Sequence, residues 1–141
     1  MAGDSLAGST HGPGPRPDVE LRLPADGAYV SVLRTTTAGL AARLDFTIDD
    51  IEDLRIAVGE ACAIVLPEAD PASDLCCRFY LQPGRLTVAV GVDTTTPAAP
   101  DPDSFAWQVL TTIAESARSE TAPGSLTVTM TMRSSLFGDD A

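Results

Sequence analysis

Lysine and asparagine are absent from this chain, and histidine occurs once, at position 11. Each gap removes a kind of chemistry. Phosphate-handling enzymes often use Lys as a point charge, and magnesium sites can take an Asn amide oxygen. Neither group is available at any position, because all nine basic residues are arginine. His11 lies in a start rich in Gly and Pro, so a His-based zinc site or a Ser-His-Asp triad has no histidine to build on. The three cysteines, Cys62, Cys76 and Cys77, are odd in number and lack the paired spacing of a zinc site. Two of them are adjacent and point to opposite faces of any strand, so a disulfide framework is not expected. Long apolar runs are missing too. No run approaches the roughly 20 residues of a membrane helix, and the start of the chain does not read as a signal peptide. A cytoplasmic location without membrane contact is the expectation.

What is present is acid. The formal charge is -11 and the pI about 4.2, and residues 1–17 add nothing to it because Asp4 and Arg16 cancel. Such a surface repels nucleic acid at long range and attracts basic protein surfaces. Solubility alone is the plainer reading of the same charge. With 141 residues, 44% of them hydrophobic, the chain can build the core of one domain.

Residues 1–17 hold four Gly and three Pro and read as a disordered lead-in, followed by a domain over 18–135 and a tail over 136–141. VELRLP, from Val19 to Pro24, alternates apolar and polar residues and reads as a short edge strand. Asp26 can cap a helix to about Leu44, with Val30, Leu33, Thr37, Leu40, Ala41 and Leu44 on one stripe. Thr47 and Asp50 form a capping-box pattern that starts a second helix, ended by Pro67. Leu75–Leu81 and Leu86–Val92 read as a hairpin, and residues 94–103, TTTPAAPDPD, as an exposed loop. Ser104 can cap a third helix to about Ala117, and Gly124 opens a final strand with strict alternation of Leu126, Val128, Met130 and Met132. The order β-α-α-β-β-loop-α-β predicts an α+β, two-layer sandwich with a mostly antiparallel sheet covered on one face by helices.

One residue in this pattern demands an explanation. IEDLRIAVGEACAIVL, from Ile51 to Leu66, carries Glu60 deep in an apolar run, where a carboxylate is costly without a partner or a task. DIEDLRIAVGEAC, Asp50 to Cys62, and GSLTVTMTMR, Gly124 to Arg133, resemble two segments of the anti-sigma factor kinases of the histidine-kinase-like ATPase (GHKL, or Bergerat) superfamily. The likeness covers about Val19 to Arg133. In that family the helix glutamate polarises the attacking hydroxyl, and an Asn four residues later holds magnesium. Glu60 matches the first, whereas Ile64 stands at the second and has no lone pair to offer. The family's adenine-binding Asp corresponds to Asp93, but Thr94, Thr95 and Thr96 follow it in place of glycines. Its phosphate-facing helix start corresponds to Ser104, Phe105, Ala106 and Trp107, and its closing segment begins at Gly124.

The resemblance therefore implies the fold, with Glu60 as a vestige of the catalytic base and Asp93, Ser104 and Gly124 as the remains of a nucleotide site. It also implies an alternative sigma factor and a STAS-type anti-anti-sigma protein as partners, Arg34 of the first helix as a partner-binding residue, and a homodimer. The Ala, Thr, Pro and Arg bias looks actinobacterial, and the family serves stress response and development. The expected function is an anti-sigma factor without cofactor or metal. Two alternatives stand beside it: an active Mg-ATP-dependent serine kinase acting on the STAS partner, and a non-catalytic regulator that binds the STAS protein only. A small hydrolase built on Glu60 lacks His, Lys and Asn support.

Overall fold

The computed structural model describes residues 16–137. The elements follow as β1 (Val19–Pro24), α1 (Val30–Arg43), α2 (Ile48–Val65), β2 (Asp74–Gln82), β3 (Arg85–Asp93), α3 (Phe105–Ile113), β4 (Ser116–Ala122) and β5 (Ser125–Arg133). The strands make one sheet in the order β1-β2-β3-β5-β4, and every neighbouring pair is antiparallel. The three helices cover one face, giving the expected two-layer sandwich, and β1 lies at an edge.

Pleating decides which residues enter the core. Leu86, Val88, Val90 and Val92 of β3 and Leu126, Val128, Met130 and Met132 of β5 all point to the helices and are buried. They meet Leu33, Leu54, Val58, Ala61 and Leu110 from the helices in a single cluster. The Leu33, Thr37 and Ala41 stripe of α1 is fully buried, and the Thr37 hydroxyl is satisfied by donating to the Leu33 carbonyl at 2.8 Å. The other face of the sheet carries Glu20, Arg22, Cys76, Arg78 and the threonines of β3 and β5, and no helix among the described residues covers it.

The capping box is formed: Asp50 N–H donates to Thr47 Oγ1 at 3.1 Å and Thr47 N–H to Asp50 Oδ2 at 3.3 Å. Asp50 Oδ2 also accepts the Ser135 N–H and hydroxyl, each at 2.9 Å, which ties a 3-10 turn at Ser135–Phe137 to the start of α2. Burial would raise the Asp50 carboxyl, but these hydrogen bonds from Ser135 and Thr47 together outweigh it and hold the group below its ordinary 3.8.

Three details correct the sequence reading. Asp26 caps a 3-10 turn, Gly27–Tyr29, that leads into α1, by accepting the Ala28 N–H at 2.9 Å. Helix α3 stops at Ile113, not near Ala117. Ser116–Ala122 is instead an additional edge strand, paired to β5 through a turn in which Gly124 has φ +84. The N-terminal lead-in lies almost wholly outside the described residues, and so does most of the expected tail beyond Phe137.

Candidate functional site

Helix α2 is the middle helix, packed between α1 and α3, while α3 leans on β4. Its two flanks differ in chemistry. Gly59 and Cys62 turn toward α1, and Glu60 and Ile64, one turn apart, share the flank toward α3. Glu60 is only half-buried, and its side chain takes part in no hydrogen bond or ion pair among the described residues. Access to water, not a buried partner, is what makes its charge tolerable. Ile64 is half-buried and packs on the core, as do Trp107 and Ile113 of α3. Where a cation ligand would stand beside Glu60, the helix presents hydrocarbon.

Asp93 is on the other side of the molecule. The inward positions of β3 are 86, 88, 90 and 92, so the pleat turns 93 outward. Its exposed side chain lines a hollow of about 1110 Å³ on the open sheet face, together with Gly91, Thr127 and Ser125. Glu60 and Asp93 are therefore separated by the sheet and do not share a site. Thr94 takes the inward place instead, at 1% exposure. Its N–H donates to the Gly124 carbonyl at 3.0 Å, and its hydroxyl accepts the Thr96 N–H at 3.2 Å.

Ser104 and Gly124 have structural tasks. The Ser104 hydroxyl caps α3 by accepting the Trp107 N–H at 3.2 Å. Gly124 makes the β4–β5 turn and anchors Thr94 through its carbonyl. Asp70, which the sequence reading did not single out, organises the threonine loop: its Oδ1 accepts the Thr95 N–H at 3.0 Å and the Thr95 hydroxyl at 3.3 Å, while its own N–H donates to the Asp93 carbonyl at 2.9 Å. Only its position just after Pro67, among turn-forming residues, hinted at this. No group of three His, Cys, Asp or Glu able to hold a metal ion occurs among the described residues.

Arg34 of α1 meets α2 at Gly59. Its guanidinium lies across Gly59, with Cζ and Nε each 3.1 Å from where a Cβ would be, and Nη2 would overlap such a Cβ outright. Only glycine leaves room for that crossing. No ion pair among the described residues involves Arg34, although it is half-buried. Its charge is felt by Cys62: burial pushes that thiol up to about 12, and the guanidinium opposes part of the rise.

No protein-family model matches the chain. Among curated proteins it is similar to the serine-protein kinase RsbW of Bacillus thuringiensis (strain Al Hakam), 38% identical over 74 residues that cover 51% of this chain and 46% of that one. It is 40% identical over 75 residues to the RsbW of Bacillus velezensis, covering 51% and 47%. The chain thus spans about half the length of the curated relatives it matches. Among solved structures, that of the RsbU and RsbW domains of Rv1364c from Mycobacterium tuberculosis superposes with a TM-score of 0.62 at 17% identity, over 84% of this chain and 32% of that one. The sequence is RsbW-like, and the fold is shared with that structure.

Proposed function

We propose that this chain is an anti-sigma factor that holds an alternative sigma factor and is relieved of it by a STAS-type anti-anti-sigma protein, without phosphoryl transfer from Mg-ATP. One observation carries the second half of that statement: Glu60 and Asp93 lie on opposite faces of the sheet, and the position beside Glu60 is filled by Ile64. A kinase must bring base, cation ligand and base-recognition carboxylate around one nucleotide. The residues present do not fit Mg-ATP.

The binding half rests on the RsbW-like sequence and on Arg34, a half-buried guanidinium at the α1–α2 surface of the kind that anchors interfaces. The acidic charge suits a sigma factor, whose DNA-facing surfaces are basic. The composition, with Arg in place of Lys throughout, supports an actinobacterial source, while the likeness to RsbW proteins supports a cytoplasmic stress-response or developmental switch working as a homodimer.

The deciding experiment mixes the purified chain with sigma and STAS proteins encoded in the same genome. A micromolar complex with the sigma factor, displaced by the STAS protein, is expected. Labelled ATP should leave no phosphate on the STAS protein. Capture of the STAS protein but never a sigma factor would replace this reading with that of a STAS-only regulator, and label on the STAS protein would restore the kinase.

A further inference from the structure

The open face of the sheet has a floor of small residues between walls of long ones. Along β3 the outward positions are 87, 89, 91 and 93, and the last three are Ala89, Gly91 and the exposed Asp93. Ala89, at 6% exposure, and Gly91 are buried although no helix among the described residues lies over them. The register puts Arg78, Ala89, Thr129 and Arg118 in one row across four strands. Neighbouring strands are about 4.8 Å apart, so the two arginines face each other across a floor about 14 Å wide.

Thr129 is the anomaly in this row. It is 6% exposed, it lines the hollow, and its hydroxyl makes no hydrogen bond among the described residues. The buried hydroxyls of Thr37, Thr94 and Ser134 all have partners, and those of Thr87 and Thr131, two residues along, bond each other at 3.0 Å. A buried hydroxyl without a partner is costly to keep. The charges around it are held loosely. Arg78 lies 3.5 Å from Glu20 and Arg118 3.9 Å from Glu120, all exposed, and such pairs contribute little. Both guanidiniums are thus free to turn inward. Asp93 enters no ion pair among the described residues and stands four residues along β3, about 13 Å from the row.

We propose that this trough binds a small zwitterion, its carboxylate held between Arg78 and Arg118 above the Thr129 hydroxyl and its ammonium at Asp93. The donors approach from two sides and from below, which suits a carboxylate whose two oxygens point to the floor. The span is that of a free tetrapeptide, because an extended chain covers about 3.3–3.6 Å per residue. Gly91 keeps the middle of the strip clear, where a Cβ would come within 2.9 Å of Thr127 Oγ1. A zwitterion carries no net charge, so the -11 of the chain does not repel it as it would a phosphate or a dicarboxylate. The site uses neither Arg34 nor Glu60 and is independent of sigma-factor capture.

The test is an NMR titration of the isotope-labelled full chain with tetra-L-alanine bearing free termini. Saturable shifts centred on Ala89, Gly91 and Thr129 are expected, with a Kd of about 1 mM. Acetylating the peptide's amine or amidating its carboxylate should each weaken binding about tenfold, which tests both contacts on the unaltered protein. Asp93→Asn should weaken the free peptide by a similar factor and leave the acetylated one unaffected; Arg118→Gln should spare the amidated one in the same way. Thr129→Val keeps the shape and removes the unpartnered hydroxyl, so it should raise the Tm while weakening the free peptide. The spectrum of each variant reports its own fold. Shifts centred elsewhere, or none that saturate by about 20 mM, overturn the proposal. Equal binding of the doubly blocked peptide, or of dialanine, whose termini cannot span the trough, overturns it as well.

Discussion

Replacing Ile64 by Asn would put an amide oxygen one helical turn from Glu60, the spacing at which a base and a cation ligand can act together. Two consequences can be worked out. Ile64 is half-buried against the core, and full burial of such a side chain contributes about 1.5–3 kcal/mol. Losing half of that and partly desolvating an amide should cost about 1–2 kcal/mol, or a fall in Tm of roughly 3–7 °C for a chain of this size. The second consequence concerns nucleotide. Asp93 remains on the far face of the sheet in this variant. A hydrogen bond to a charged carboxylate is worth about 1.5–3 kcal/mol, so its absence alone weakens binding roughly 10- to 150-fold. Neither the wild type nor Ile64→Asn should therefore saturate with Mg-ATP or Mg-ADP at low millimolar concentration. Calorimetry reads this directly, and the single tryptophan, Trp107 on α3, gives an independent fluorescence signal. Saturable Mg-ATP binding by the wild type with Kd below about 1 mM, near -4 kcal/mol, would refute the reasoning.

The remaining predictions concern the joints of α2. Asp50→Ala removes the capping box and both Ser135 bonds and should cost about 2 kcal/mol near pH 7 in urea unfolding. Because the folded Asp50 pKa is lowered, its contribution is complete above the ordinary 3.8 and is lost as pH falls through the folded value. The gap between wild type and variant should accordingly close in acid, and a gap unchanged there would count against the clasp. Gly59→Ala gains about 1 kcal/mol of helix propensity but displaces Arg34, so the same change should be markedly more stabilising in an Arg34→Ala background, as a double-mutant cycle can measure. Arg34→Ala should weaken sigma-factor binding by about 2 kcal/mol, near 30-fold, if the guanidinium anchors the interface; calorimetry showing less than about threefold would remove it from that role.

Much of the fold was legible because its signals are local. The Thr47–Asp50 box, the Ser104 cap and the alternation of Leu126 to Met132 are each a few residues long, and the chain forms all three. Strand β4 escaped because SARSETA offers no apolar alternation; its burial pattern is almost wholly exposed, and pairing to β5 is what makes it a strand. The early end of α3 follows from the same cause, since Ser116 onward is claimed by the sheet. The positions of the candidate site residues were legible one at a time but not relative to one another. Spacing along α2 correctly put Glu60 and Ile64 on one flank, whereas which face Asp93 occupies depends on the pleat of β3 relative to a helix more than 25 positions earlier in the sequence.

That dependence explains why the fold places no demand on the acid at 93. The core asks of β3 only that positions 86, 88, 90 and 92 be apolar and of the right bulk, and Leu and three Val meet the demand. It places no condition on whether an acid follows at 93 or at 94. Thr94 fills the inward position at little cost, because its N–H and hydroxyl are both engaged by local backbone. An acid at 93 then faces water, where it is equally cheap. At Ile64 the two requirements diverge, since a cation ligand there would need polar atoms and the core gains from hydrocarbon. Packing at 64 and the pleat at 93 thus favour the sandwich over the nucleotide site independently, so reversing either alone should leave the other in force.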